Sequence, residues 1–256
     1  MKTKTSEVKE HSEFGGSQAK RIRKCPASVK ASRGVANVSS AKADEGTDAH
    51  ACLEFIINNR LKLKKESTRK KVLSAAKRRW DKDMIMYALD ALTYLQNQMG
   101  PGSELIAEQK LDTSKFTTDD QSSTLDATII NWKARELIIA DYKYGTHPVD
   151  VKMNDQLIYY ALGMLIKLRA WKHIDRIRLV IIQPRAHHKD GPNREYFLSV
   201  DQAVKWGRRF KKTVRIALGK NPPYNYGSEW CYFCLAKPKC KEYAKQQVMR
   251  EFENVA

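Results

Sequence analysis

An aspartate and a lysine two positions apart close the apolar run in "LIIADYKYG", residues 137 to 145. Alternate side chains of a strand share a face, so Asp141 and Lys143 project together while Tyr142 points away. Ile139 lies on the face of Asp141, so the polar pair ends an apolar row. One β-type run earlier, in "STLDATI", Asp126 also stands where an apolar residue would be expected. Two carboxylates on adjacent strands can hold a hard divalent cation, because Mg²⁺ prefers oxygen ligands and typically takes one or two protein carboxylates with water and phosphate. A lysine beside them can orient an attacking water or offset the charge that develops on a phosphate. The chemistry predicted is phosphodiester cleavage. A lone D-x-K also fits an ordinary cross-strand ion pair, so its weight depends on companions elsewhere in the chain.

Cysteine spacing poses a second question. Cys231, Cys234 and Cys240 form C-x2-C-x5-C, and Cys25 lies at the opposite end of the chain. Three close thiolates supply three corners of a zinc or iron-sulfur site, and a closed site needs a fourth. Cys25 is the natural candidate. Cys52 is left over and reads as a small buried apolar residue.

The elements that must position these groups follow from periodicity. Ala49, Leu53, Ile56, Ile57 and Leu61 recur at helical spacing after the cap-like "DEGTDAH", with His50 and Glu54 four apart on one face. A charged segment leads into "MIMYALDALTYLQNQM", a helix that stops at Gly100-Pro101. Three short β-type runs, "SELIAEQKL", "TLDATIINW" and "ELIIADYKY", read as an antiparallel meander. Glu108, in the first of them, is a further acid, either a solvated strand residue or a metal ligand. Then come a helix in "NDQLIYYALGMLIKL", a buried strand in "RIRLVIIQP", a short strand in "EYFLSV" and a basic helix in "DQAVKWGRRFKKTVRIAL". His187 and His188, in "RAHHKDG", read as exposed or phosphate-facing. This order predicts an α/β fold with a mixed central sheet flanked by helices and a C-terminal cysteine cluster.

The 256 residues suffice for one substantial core. Forty-seven Lys and Arg against 29 Asp and Glu give a formal charge of +18, which favours a polyanion such as DNA or RNA. The blocks "KLKKESTRKK", "AKRRWDK" and "WGRRFKK" mix cations with aromatics, as backbone contact and base stacking require, although a solvated helix face has the same composition. No base-reading motif is present. No run of eighteen apolar residues and no apolar signal-peptide core occur, so no membrane partner and a cytoplasmic location are expected. Five cysteines in such a chain argue against a disulfide framework. There is no G-x4-G-K-[ST], hence no visible ATP motor.

With "GTDAH", "STLDA", "DYK" and "QLIYY" in this order, the chain resembles the PD-(D/E)XK nuclease superfamily. The resemblance is to its RecB-like branch, which includes AddB-type helicase-nuclease subunits, iron-sulfur CRISPR-adaptation nucleases and related phage exonucleases. It implies a restriction-endonuclease-like core in one domain over 25–256, with a helical insertion at 64–100 and a metal-cluster region at 225–245. Residues 1–24 read as a flexible basic arm. By resemblance, His50, Asp126 and Asp141 are ligands of Mg²⁺ or Mn²⁺, the Tyr142 carbonyl adds one, and Lys143 is the catalytic lysine. Gln156 and Tyr160 match the family's Q-x-x-x-Y element beside the site. Ser123 stands where the family usually has Gly, and Asp141 where many members have Glu. The one-plus-three cysteine pattern resembles that branch's 4Fe-4S staple, with zinc as the alternative for Cys25, Cys231, Cys234 and Cys240. The resemblance implies a DNA exonuclease of recombination or repair, phage-encoded and working with a separate single-strand-binding or annealing protein. A structure-specific endonuclease and a DNA-binding protein with a vestigial site are the alternatives.

Overall fold

The computed structural model describes residues 12–37, 39–118 and 122–253. Among them the helices are α1 (Ala19–Lys24), α2 (Ser28–Ala31), α3 (Ala41–Asn58), α4 (Glu66–Lys77), α5 (Lys82–Asn97), α6 (Asp155–Leu168), α7 (Val200–Leu218), α8 (Ser228–Tyr232) and α9 (Lys241–Glu253). The strands are β1 (Ser103–Asp112), β2 (Ser122–Asn131), β3 (Glu136–Tyr142), β4 (Arg176–Ile182) and β5 (Asn193–Ser199), in the spatial order β1-β2-β3-β4-β5. β2 and β3 pair antiparallel, β3 and β4 parallel, and β4 and β5 antiparallel. The protein is therefore α/β, with a mixed five-stranded sheet flanked by helices. The parallel pair requires a crossover, and α6 supplies it.

The chain gathers into two compact units, where the sequence reading drew one domain over 25–256. The first contains residues up to 38, 112–123 and 206 onward; the second contains 39–111 and 124–205.

In the second unit, α3 and α5 supply Ala49, Leu53, Ile56, Ala88, Leu92 and Leu95 to a core with Ala127, Ile129, Ile138, Ala140, Tyr142, Val180 and Ile182. Those strand residues alternate, so this core covers one sheet face and leaves Ile139 and Asp141 on the other. β3 is buried along its whole length, as a central strand covered on both faces must be. Helix starts follow their caps: the Ser40 hydroxyl accepts from the Ala43 N–H and the Asp81 carboxylate from the Met84 N–H. The α6 helix approaches β1 so closely that a Cβ on Gly163 would sit 2.9 Å from Leu111 Cδ1.

In the first unit, α7 buries Trp206, Phe210, Val214 and Ala217 at three- and four-residue spacing. Its Arg208, Arg209, Lys211, Lys212 and Arg215 are exposed. The expected N-terminal arm is corrected in part. Residues 1–11 lie outside the described residues, but Phe14, Ala19 and Ile22 are fully buried, and α1 (Ala19–Lys24) is part of this unit. Three apolar residues among many cations suffice for anchoring, because burial rewards the apolar face of a short helix whatever its opposite face carries.

Candidate functional site

The Ala127↔Ala140 register between β2 and β3 sets Asp126 opposite Asp141. Like charges in direct cross-strand opposition are destabilising unless something offsets them. Two basic side chains face them here. His50, from α3, brings Nδ1 to 3.0 Å from Asp126 Oδ1, and Lys143 brings Nζ to 2.8 Å from Asp141 Oδ2. The Tyr142 N–H donates to Asp126 Oδ2 at 2.8 Å, while the Tyr142 ring turns to the opposite face and is 1% exposed. The period of two that predicted a shared face for Asp141 and Lys143 thus describes this strand end.

On α6, Asn154 caps the first turn by accepting from the Gln156 and Leu157 N–H groups at 3.0 and 3.2 Å. That aims Gln156 back at the sheet end. Lys143 Nζ donates to Gln156 Oε1 at 3.1 Å, and Gln156 Nε2 donates to the Tyr160 hydroxyl at 3.0 Å. All six expected side chains, His50, Asp126, Asp141, Lys143, Gln156 and Tyr160, therefore meet at one sheet end within the second unit.

Their electrostatics are mutual. For His50, burial opposes the imidazolium, but Asp126 and Asp141 outweigh it and raise the pKa. For Asp126, burial opposes the carboxylate, but His50 and Lys143 prevail and lower it. Asp141, 2% exposed, has its pKa raised by burial and by Asp126, against the pull of Lys143. Lys143 resists its burial through Asp141 and Asp126 and stays a strongly basic ammonium. Burial raises the Tyr160 phenol, and the charges of Asp141 and Asp126 raise it further.

Glu54, which shares the α3 face of His50, instead meets Glu108 on β1, and that contact together with burial raises the Glu108 pKa. Glu108 also has φ of 26°, a left-handed conformation unusual within a strand. Sequence reading marked Glu108 as an extra acid but could not foresee its partner, since nothing in the local spacing of α3 and β1 links them. Cys52 is fully buried, donates to the Met84 carbonyl at 4.0 Å, and has its thiol pushed up to about 12 by burial, as a packed small residue should.

In the first unit, Cys25, Cys231, Cys234 and Cys240 line one cavity together with Arg21 and Trp230. All are free thiols. Burial raises the Cys25 thiol, opposed by the Asn225 N–H, which donates to its sulfur at 3.4 Å. The Arg21 guanidinium is held below its usual value by burial, against the pull of Cys234, Cys25 and Cys231, so the four groups share one field. A donor set of four thiols around one cavity suits zinc or an iron-sulfur cluster.

The carboxylate oxygens and imidazole nitrogen at the sheet end are donor types that divalent cations accept. Neither Asp141 Oδ2 nor His50 Nδ1 has a hydrogen-bond partner of good geometry despite its ion-pair contact. Buried polar atoms left in this way are uncommon, and water, an ion or strain accounts for them in folded proteins. Among the described residues no three His, Cys, Asp or Glu side chains, the cysteines of the first unit included, are gathered closely enough to hold a metal ion. No helix among the described residues is long and apolar enough to cross a membrane.

Fold and site define an α/β protein with paired acids, a lysine and an imidazole at the end of a mixed sheet. The chain belongs to the family described as protein of unknown function (DUF2800), whose pattern matches residues 11–256. A solved structure titled as that of SSO0001 is similar over 92% of this chain and 89% of its own, at 15% identity and a TM-score of 0.32.

Proposed function

We propose that this protein is a divalent-metal-dependent deoxyribonuclease of the PD-(D/E)XK type, acting at DNA ends in recombination or repair. The observation that carries the reading is the cross-strand pair Asp126 and Asp141 with Lys143 held between Asp141 and Gln156. Asp126, Asp141, His50 and the Tyr142 carbonyl would hold Mg²⁺ or Mn²⁺, which requires the two carboxylates to converge. When bound, the cation supplies Lewis-acid polarisation of a phosphoryl oxygen and acidifies a water.

The chain's own residues do the rest. Lys143 keeps its proton, so it serves as a cation that orients water and offsets phosphate charge, not as a base. Gln156 fixes the direction of the ammonium, and Tyr160 fixes the Gln156 amide. Before metal binds, His50 favours the ionised form of Asp126; to act as a ligand itself it must first give up its proton. The cations of α4 and the exposed face of α7 suit phosphate contact; if about six engage, affinity falls by roughly three to five decades between 50 and 200 mM salt. The four cysteines would hold a structural 4Fe-4S cluster, or Zn²⁺ with the same ligands. A single-strand-binding or annealing partner and a cytoplasmic setting, that of the host if phage-encoded, complete the reading.

One observation favours a second reading. His50 and Lys143 already neutralise the two acids, and no metal-holding group of three is gathered, as in a DNA-binding protein with a vestigial site. The deciding experiment is cleavage of end-labelled linear and closed circular DNA with Mg²⁺ or Mn²⁺, wild type against Lys143→Ala. Loss of linear DNA alone, absent in the variant, supports the exonuclease; cutting of circles makes it an endonuclease. Binding without cleavage by cluster-replete protein overturns the enzyme.

A further inference from the structure

In the same unit as the sheet-end residues lies an open pocket of about 490 Å³ lined by Tyr87, Thr146, Arg185, His187, His188 and Gly191 among others. No Asp or Glu lines it. Carboxylates lie close to two of its basic side chains. Glu45 takes an Arg185 N–H at 2.8 Å, and Asp150 and Asp190 lie 3.5 and 3.7 Å from the His188 ring nitrogens. Arg185 also lies over the Tyr144 ring, 4.3 Å from its centroid. A guanidinium has five N–H groups, so one contact with Glu45 orients Arg185 without exhausting it.

The pocket is built in advance. Its two walls, the segment after β3 and the loop between β4 and β5, are tied to one buried pair, Gln183 and Arg194, at 1% and 3% exposure. Gln183 donates to the Gly145 and His147 carbonyls at 2.8 and 2.7 Å and accepts from the Val149 N–H at 3.0 Å. Arg194 donates to Gln183 at 2.6 Å, to the Val149 carbonyl at 3.0 Å and to the Gly191 carbonyl at 2.9 Å. Gly191 turns the loop at φ 81°, a conformation that favours glycine.

We propose that this pocket binds a phosphate of the DNA strand next to the one at the catalytic constellation. The inference rests on the nuclease reading and adds a second point of contact to it. Arginine, two imidazoles and a hydroxyl, with no carboxylate on the lining, select an anion with several acceptor oxygens. Thr146 is three residues beyond Lys143, at most about 11 Å of extended chain, so one strand can reach both places. Tyr87 offers a ring on which an adjoining base can stack.

The test is anisotropy of a labelled single-stranded oligonucleotide in EDTA, where no cleavage occurs, for wild type, Arg185→Ala and His187→Glu. Arg185 also braces Glu45, so His187→Glu, at an exposed position, is the variant that leaves packing intact. Each is expected to weaken binding by about tenfold, the scale of one charge-assisted contact. A methylphosphonate at the matching linkage should reproduce the loss in wild type and add nothing in Arg185→Ala. Unchanged affinity in both folded variants overturns the site. Sensitivity of inorganic phosphate binding alone, with the oligonucleotide unaffected, overturns its assignment to a strand. Because no turnover is needed, variant-sensitive binding by a protein that never cleaves sinks the nuclease reading and keeps an anion site. Cleavage with unaltered affinity and KM in both variants does the reverse.

Discussion

Lys143, one residue past β3, donates a 3.1 Å hydrogen bond to Gln156 in the first turn of α6. A strand end and a helix start thirteen residues apart are joined by the two side chains that the proposed chemistry needs aligned. The same ammonium lies 2.8 Å from Asp141, so its position is defined from two directions.

Removing the ammonium should therefore cost more than releasing it. Lys143→Ala is expected to lower single-turnover cleavage by about 10²- to 10³-fold, the range for losing one preorganised electrostatic group. Gln156→Leu should cost about tenfold, with DNA affinity nearly unchanged in both. Equal losses in the two variants would show that Gln156 does more than steer Lys143.

The pairing of His50 with Asp126 has a pH signature in chelator-treated protein. The His50 pKa is raised on folding, so its contribution is full below the unfolded value of about 6.5 and fades as pH rises through the folded one. The Asp126 pKa is lowered, so its contribution is present above about 3.9 and fades as pH falls through the folded value. Both hold in the acid-to-neutral window between. The difference in Tm between wild type and Asp126→Asn should be largest there and shrink on either side. A flat difference from pH 4 to 9 would refute the pairing.

The α6 cap links stability to the site. Asn154→Ala removes the acceptor for the Gln156 and Leu157 N–H groups and should cost about 1 kcal/mol in urea unfolding. Because Gln156 sits in that turn, kcat should also fall, while a comparable loss made at the Ser40 cap of α3 should leave kcat higher than in Asn154→Ala.

For the cysteines, Cys25→Ser and Cys234→Ser should each lower bound metal and Tm together, since each side chain lines the same cavity. Cys52→Ser, on a different core, should retain the metal. Iron, sulfide and zinc analysis of the purified wild type decides the metal, and a metal-free wild type of full stability would defeat the staple.

Much of this arrangement is legible in one dimension because it rests on local periods. The shared face of Asp141 and Lys143 follows from the strand period of two, and that of Gln156 and Tyr160 from the helical spacing of four. The Glu54–Glu108 contact is not legible, because no local rule relates α3 to β1. Nor is the burial of Gln183 and Arg194, two polar residues that composition assigns to the surface. Phe14, Ala19 and Ile22 were lost among cations for the same reason: their burial depends on what they dock against.

By itself, then, the sequence determined the element order, the mixed sheet and the polar groups on each face, since these depend on backbone periodicity and the sorting of apolar side chains. Only the tertiary structure decided the partners. The register set Asp126 across from Asp141, packing brought His50 to one acid, and folding of the first unit brought Cys25 to the C-terminal cysteines. Those contacts join residues far apart in the chain, and the free energy that selects them comes from burial and charge in three dimensions, which local spacing does not encode.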